Sequence, residues 1–174
     1  MTTENRLAQI KCFVFDVDGV LTDGMVIALE SGEQARNFNI KDGYGIERAL
    51  LAGYEVAIIS GGNQLGVQKR LAFLKIKQIH LGVKDKVSVL INLCSELNIT
   101  PNQIAYVGDD WPDFDVMQMV GLPCCPADAT EEIKTISHFI SSKNGGHGCV
   151  REVVELVMKH QGTWRKFDDE NINN

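Results

Sequence analysis

The sequence predicts an α/β fold, a doubly wound parallel sheet with helices on both faces. Three observations predict it. Five apolar runs of strand length, at residues 10–15, 55–59, 78–81, 104–107 and 122–125, alternate with stretches in which apolar residues recur every three or four positions. The residues able to do chemistry stand directly after those runs, where an open sheet gathers its ligands. The whole chain has 174 residues, the size of one domain.

The first run, 10–15, ends in Asp16-Val17-Asp18-Gly19-Val20, two carboxylates one residue apart. Strand alternation would separate them, but past the strand end Gly19 lets the chain turn and both can converge on one crevice. Residues 25–29, a Glu30-Ser31-Gly32-Glu33 turn and residues 34–38 read as a β-hairpin flap over about 24–38. Helical periodicity follows at 43–52, 64–74, 86–97, 113–120, 130–134 and 149–160. Thr100-Pro101 reads as a short helical turn or loop before the fourth strand. Asn144-Gly145-Gly146-His147-Gly148 is a glycine-rich loop before the last helix, and from about 165 to 174 a polar tail is expected to be disordered. One domain over 1–174 is the expectation.

A net charge of -6 and a pI near 5.2 argue against nucleic acid or an anionic membrane as partner. No apolar run reaches the ~20 residues of a membrane span. Met1 to Gln9 lacks the apolar core of a secretory signal, and five cysteines in apolar contexts (Cys12, Cys94, Cys124, Cys125, Cys149) read as reduced thiols, so a cytoplasmic location is expected. Without a C-x-x-C pair, a zinc site is not expected.

Four features follow the strands in order: Asp16 and Asp18; Ser60-Gly61-Gly62; Lys86 opening a helix; and Gly108-Asp109-Asp110 with Asp113. Together they supply a nucleophile, an acid/base, a hydroxyl beside backbone amides, a cation and an acidic cluster, the set that phosphoryl transfer through an aspartyl-phosphate needs. Each member also has a plainer reading. Ser60 can cap the next helix, and Lys84-Asp85-Lys86 can be a charged surface turn. Asp113 can orient Lys86 or a metal-bound water, or simply favour a helix N-terminus.

The order and spacing of these motifs resemble the haloacid dehalogenase superfamily of phosphohydrolases. Within it, DVDGVLTDG from Asp16, FNIKDGYGI from Phe38, VGDDWPD from Val107 and GGHGCVREV from Gly145 resemble the 3-deoxy-D-manno-octulosonate 8-phosphate phosphatase branch. The resemblance implies a Rossmann-like core without a cap, a homotetramer, a phosphorylated ulosonic acid as substrate and a place in lipopolysaccharide sugar synthesis. It implies Mg²⁺, for which Mn²⁺ or Co²⁺ can substitute, held by Asp16, Asp109 and the Asp18 backbone carbonyl, with Asp110 and Asp113 behind them. Asp16 would attack phosphorus, Asp18 would serve as acid and then base, and Ser60, Gly61 and Lys86 would hold the phosphoryl oxygens. Asp42 and Arg70 are the further substrate-binding candidates, while Lys41 reads as helix start; His147 reads as surface, and with Arg151 lies where the resemblance implies a C-terminal region that helps close a site.

Two positions depart from the pattern. Where the octulosonate enzymes usually carry arginine after the second motif, this chain has Gly62, and where threonine is frequent it has Ile40. A nonulosonate 9-phosphate phosphatase is therefore the alternative substrate reading. A phospho-acceptor signalling module or a non-catalytic regulatory module are the alternatives of a different class, the first disfavoured because its phosphorylated aspartate follows a later strand.

Overall fold

The computed structural model describes residues 2–164; the tail expected at 165–174 lies outside the described residues. Helix α1 (Thr3–Gln9) opens the chain, with the Thr2 hydroxyl accepting from the Asn5 N–H at its start. The sequence reading has no helix there, because only Leu7 is buried and a single apolar contact leaves no period to detect. Ile10 closes α1 in extended conformation, so strand β1 (Cys12–Phe15) is two residues shorter than the apolar run that announces it.

Strand β1 lies near the centre of the main sheet. Strands β4 (Glu55–Ile59) and β6 (Ile104–Val107) flank it, with Val14 opposite Ala57 on one side and Tyr106 on the other. Outside these lie β5 (Gln78–His80), β7 (Leu122–Cys125) and β8 (Phe139–Ile140), giving the order β5-β4-β1-β6-β7-β8 with every pairing parallel. The two-residue β8 has no periodicity and is absent from the sequence reading. Parallel pairing buries both faces, which is why β1, β6 and β7 read as unbroken apolar runs.

Alternation along β1 divides the core. Phe13 and Phe15 face helices α2 (Ile40–Leu51), α3 (Leu65–Phe73) and α7 (Cys149–His160); Cys12 and Val14 face α4 (Lys86–Leu97), α5 (Phe114–Met119) and α6 (Glu131–Ile136). Helix α2 begins three residues before its predicted start because the Asn39 side chain accepts from the Lys41 N–H and caps it there. Pro112 holds a 3-10 turn over Trp111–Asp113 ahead of α5. The five cysteines are free and buried, as expected.

The hairpin is real but slight. Strands β2 (Ile27–Ala28) and β3 (Gln34–Ala35) pair antiparallel over two residues each, and a Thr22–Phe38 bridge closes the base. Its apolar residues Met25, Val26, Ile27 and Leu29 are exposed.

The glycine-rich loop 144–148 wedges against the turn that follows β1. The Gly146 N–H donates to the Val20 carbonyl at 2.9 Å, and a Cβ on Gly145 would lie 1.8 Å from the Gly19 carbonyl oxygen. Only glycine permits that approach.

Candidate active site

The ladder of β1 continues one residue past the strand, because the Asp16 N–H donates to the Val107 carbonyl at 3.0 Å. Alternation then puts the Asp16 side chain on the same face as Val14, toward α4 and α5. The chain turns immediately afterwards: the N–H groups of Val20, Leu21 and Thr22 all donate to the Val17 carbonyl, with Gly19 at φ +82°. A Cβ on Gly19 would lie 2.0 Å from Asp109 Oδ2, so glycine here is what lets the acidic loop after β6 close on the first.

Three further strand ends deliver their residues to the same edge. Ser60 follows β4, fully enclosed, its N–H donating to the His80 carbonyl at 3.0 Å. Lys86 opens α4 behind its cap Asp85, whose carboxylate accepts from the Ser88 N–H. Asp109, Asp110 and Asp113 follow β6. Asp16, Asp18, Ser60, Gly61, Lys86, Asp109, Asp110 and Asp113 all line one crevice of about 510 Å³.

Within it, Lys86 Nζ stands 3.2 Å from Asp16 Oδ2 and 2.7 Å from Asp113 Oδ1. Burial pulls the ammonium down, but the two carboxylates outweigh it and hold Lys86 above the ordinary lysine value. Asp113 thus contacts Lys86 directly and also stands at the start of α5. Its Oδ1 also accepts from the Tyr106 hydroxyl at 2.7 Å, and its Oδ2 from the Asp109 N–H at 3.3 Å. Tyr106 was missed in the sequence, although a hydroxyl inside a fully buried strand must find a partner.

Oxygens of Asp16, Asp109 and Asp113 lie within 4.8 Å of one another. Asp113 already spends both oxygens on protein donors, so Asp16 and Asp109 are the side chains that fit a hard cation. Asp16 Oδ1 is buried without a hydrogen-bond partner among the described residues. Burial, with the Asp113 charge and against Lys86, raises Asp16 to about 6; burial with the charges of Asp16, Asp113 and Asp110 raises Asp109 to about 8. Such crowding of anions is what a divalent cation relieves.

Asp18 points elsewhere. Arg36, just past β3 on the hairpin, donates from Nε to Oδ1 at 2.5 Å and from Nη2 to Oδ2 at 3.4 Å. Nothing in the sequence marks Arg36, since its partner depends on how the hairpin folds back. Asp110 sits at the mouth and accepts from the Trp111 N–H.

Two candidates are not brought into the crevice. Asp42 is buried on α2 and accepts from the Gly148 N–H at 3.1 Å and the Arg151 N–H at 2.7 Å, so it caps the start of α7. Arg70 lies with its guanidinium over Phe73 and lines a separate groove of about 390 Å³ beneath the hairpin, with Arg36 and Phe38. Lys41 belongs to the capped start of α2, and Arg151 stacks over Tyr44 and Trp164.

A family model for haloacid dehalogenase-like hydrolases matches residues 75–153. The 3-deoxy-D-manno-octulosonate 8-phosphate phosphatase of Escherichia coli (strain K12) is 40% identical over 157 residues, which cover 90% of this chain and 84% of that protein. This chain belongs to that phosphatase family. It is an enzyme of the haloacid dehalogenase type. Solved structures of the family superpose closely on it. The enzyme from Moraxella catarrhalis, in complex with magnesium ion, phosphate ion and a KDO molecule, has a TM-score of 0.92 at 34% identity and covers 96% of both chains. The cobalt-bound form of the Haemophilus influenzae enzyme has a TM-score of 0.89 at 34% identity, covering 94% of this chain and 95% of that one.

Proposed function

We propose that the protein hydrolyses 3-deoxy-D-manno-octulosonate 8-phosphate to the free sugar acid and inorganic phosphate through a phosphoryl group carried on Asp16. The observation that carries the reading is Asp16 at the end of β1 with Lys86 Nζ 3.2 Å from its carboxylate and Ser60 beside it. The relatives' substrate and the metals in their structures agree with it.

The residues divide the work as follows. An Asp16 oxygen attacks phosphorus while the bond from phosphorus to the sugar oxygen breaks. The departing alkoxide takes a proton from Asp18. Water then gives a proton to Asp18 and attacks phosphorus, releasing phosphate and restoring the Asp16 carboxylate, so the sum is ester plus water to alcohol plus phosphate. Lys86 and the Ser60 hydroxyl, with the Gly61 amide, hold the equatorial oxygens where charge gathers. Asp113 and Tyr106 hold Lys86 in place. Asp16 and Asp109, with the Asp18 carbonyl, would hold Mg²⁺, which draws charge from the phosphoryl group and keeps Asp16 ionised.

The same reading extends to assembly and location. The exposed apolar residues Met25, Val26, Ile27 and Leu29 on so short a hairpin support a homotetramer in which hairpins from several copies wall the crevice from water. Five unpaired buried thiols fit a reducing cytoplasm. No helix among the described residues is long and apolar enough to cross a membrane.

Phosphate release from the eight-carbon and nine-carbon ulosonate phosphates with Mg²⁺, beside the Asp16→Asn variant, tests the proposal. Release from the eight-carbon ester that the variant loses is expected. Preference for the nine-carbon ester would move the assignment to a nonulosonate, and silence from both would sink it.

A further inference from the structure

Arg36 holds both oxygens of Asp18, yet Asp18 lines the crevice with 40% of its side chain exposed, while that of Arg36 is only 6% exposed. An acid that must reach a leaving oxygen is therefore occupied by a guanidinium from the hairpin. Arg36 is not fully satisfied in return: its Nη1 is buried without a hydrogen-bond partner among the described residues. Gln34 Oε1, at 3.4 Å from Nη2, is its other acceptor.

Small and flexible groups stand beside the pair. A Cβ on Gly62 would lie 3.2 Å from Asp18 Oδ2 and 2.8 Å from Gln64 Oε1, so with glycine at 62 it is the end of the flexible Gln64 side chain that stands next to Asp18. Among the described residues lining the crevice the cations are Lys84 and Lys86; Lys86 is committed to Asp16 and Asp113, and Lys84 is exposed. Arg36 is the cation that stands on the Asp18 side, where the leaving group must lie.

We propose that Arg36 is the receptor for a carboxylate carried by the leaving part of the substrate, and that it exchanges Asp18 for that carboxylate when the ester binds. The inference rests on the function proposed above and names what the site demands of the ester beyond its phosphate. Exchange is close to balanced because one carboxylate replaces another on a planar donor fork. Once exchanged, both Asp18 oxygens are released toward the alkoxide. An ester without the carboxylate would leave Arg36 on Asp18, so the same contact both recognises the right leaving group and withholds the acid from the wrong one.

Wild type, Arg36→Met and Arg36→Lys are compared on the octulosonate 8-phosphate and on a neutral aldose phosphate such as arabinose 5-phosphate, with Mg²⁺ and with thermal melts as the check on folding. In Arg36→Met, kcat/KM on the carboxylated ester relative to the neutral one is expected to fall at least tenfold, with kcat on the neutral ester rising as Asp18 is freed. Arg36→Lys should recover part of the ratio. An unchanged ratio with normal wild-type turnover overturns the receptor, and a neutral-ester kcat that falls with the ratio intact does the same. Silence of the wild type toward both esters sinks the proposed function and this inference together.

Discussion

Lys86 Nζ meets Asp113 Oδ1 at 2.7 Å, and the same oxygen takes the Tyr106 hydroxyl at 2.7 Å. One carboxylate oxygen thus fixes a lysine from α4 to a tyrosine of β6, and through the lysine sets the cation against Asp16. The pair is enclosed, with Asp113 and Lys86 1% and 6% exposed, so its geometry is held by packing as well as charge.

Tyr106→Phe keeps the ring and deletes the donor. Lys86 then loses the second anchor of its partner, and kcat for phosphate release is expected to fall about tenfold, equivalent to ~1.4 kcal/mol of barrier. Stability should drop by about 1.5–3 kcal/mol from the lost hydrogen bond to a charged acceptor, read by chemical denaturation. A kcat equal to wild type would remove Tyr106 from the positioning of Lys86.

Stability without metal should decrease as pH rises. Asp109 keeps its proton in the fold up to about 8, against an ordinary value of 3.8, and Asp16 up to about 6. The folded state therefore binds more protons than the unfolded chain within that window, and stability is lost as pH climbs through it. A divalent cation favours the ionised carboxylates, so the rise in Tm caused by Mg²⁺ should be larger at pH 8.5 than at pH 6. Melts at both pH values, with and without Mg²⁺, check this; a larger Mg²⁺ effect at the lower pH contradicts it.

Asp42→Ala should act on the fold. It strips two N–H groups at the start of α7 of their acceptor, Gly148 and Arg151, and is expected to cost about 1–3 kcal/mol. A variant of full stability with a raised KM would return Asp42 to substrate binding.

The sequence discloses the site better than its supports. Asp16, Asp18, Ser60, Lys86, Asp109 and Asp113 are legible because parallel strands bring whatever follows them to one edge, and apolar runs locate the strand ends without long-range knowledge. Asp42 misleads because an acid in the first turn of a helix looks the same whether it faces a ligand or caps a distant helix. Arg36 and Tyr106 are silent for the converse reason: their partners, Asp18 and Asp113, are chosen by a folded-back hairpin and by the alternation of a central strand. Helix α1 escapes because Leu7 is its one buried residue, and strand β8 because two residues show no alternation.

The contact of Gly145 and Gly146 with Gly19 to Thr22 sets an order on the making of the enzyme. A ribosome delivers Asp16 more than a hundred residues before the 144–148 loop that underpins its turn. Strands β4 and β6, which fix β1 on either side, also come later. A nascent chain halted before residue 146 carries all the acids of the site but not the floor beneath the first two, so catalytic competence arrives late in synthesis, and truncated translation products should be inert toward the cell's phosphate esters.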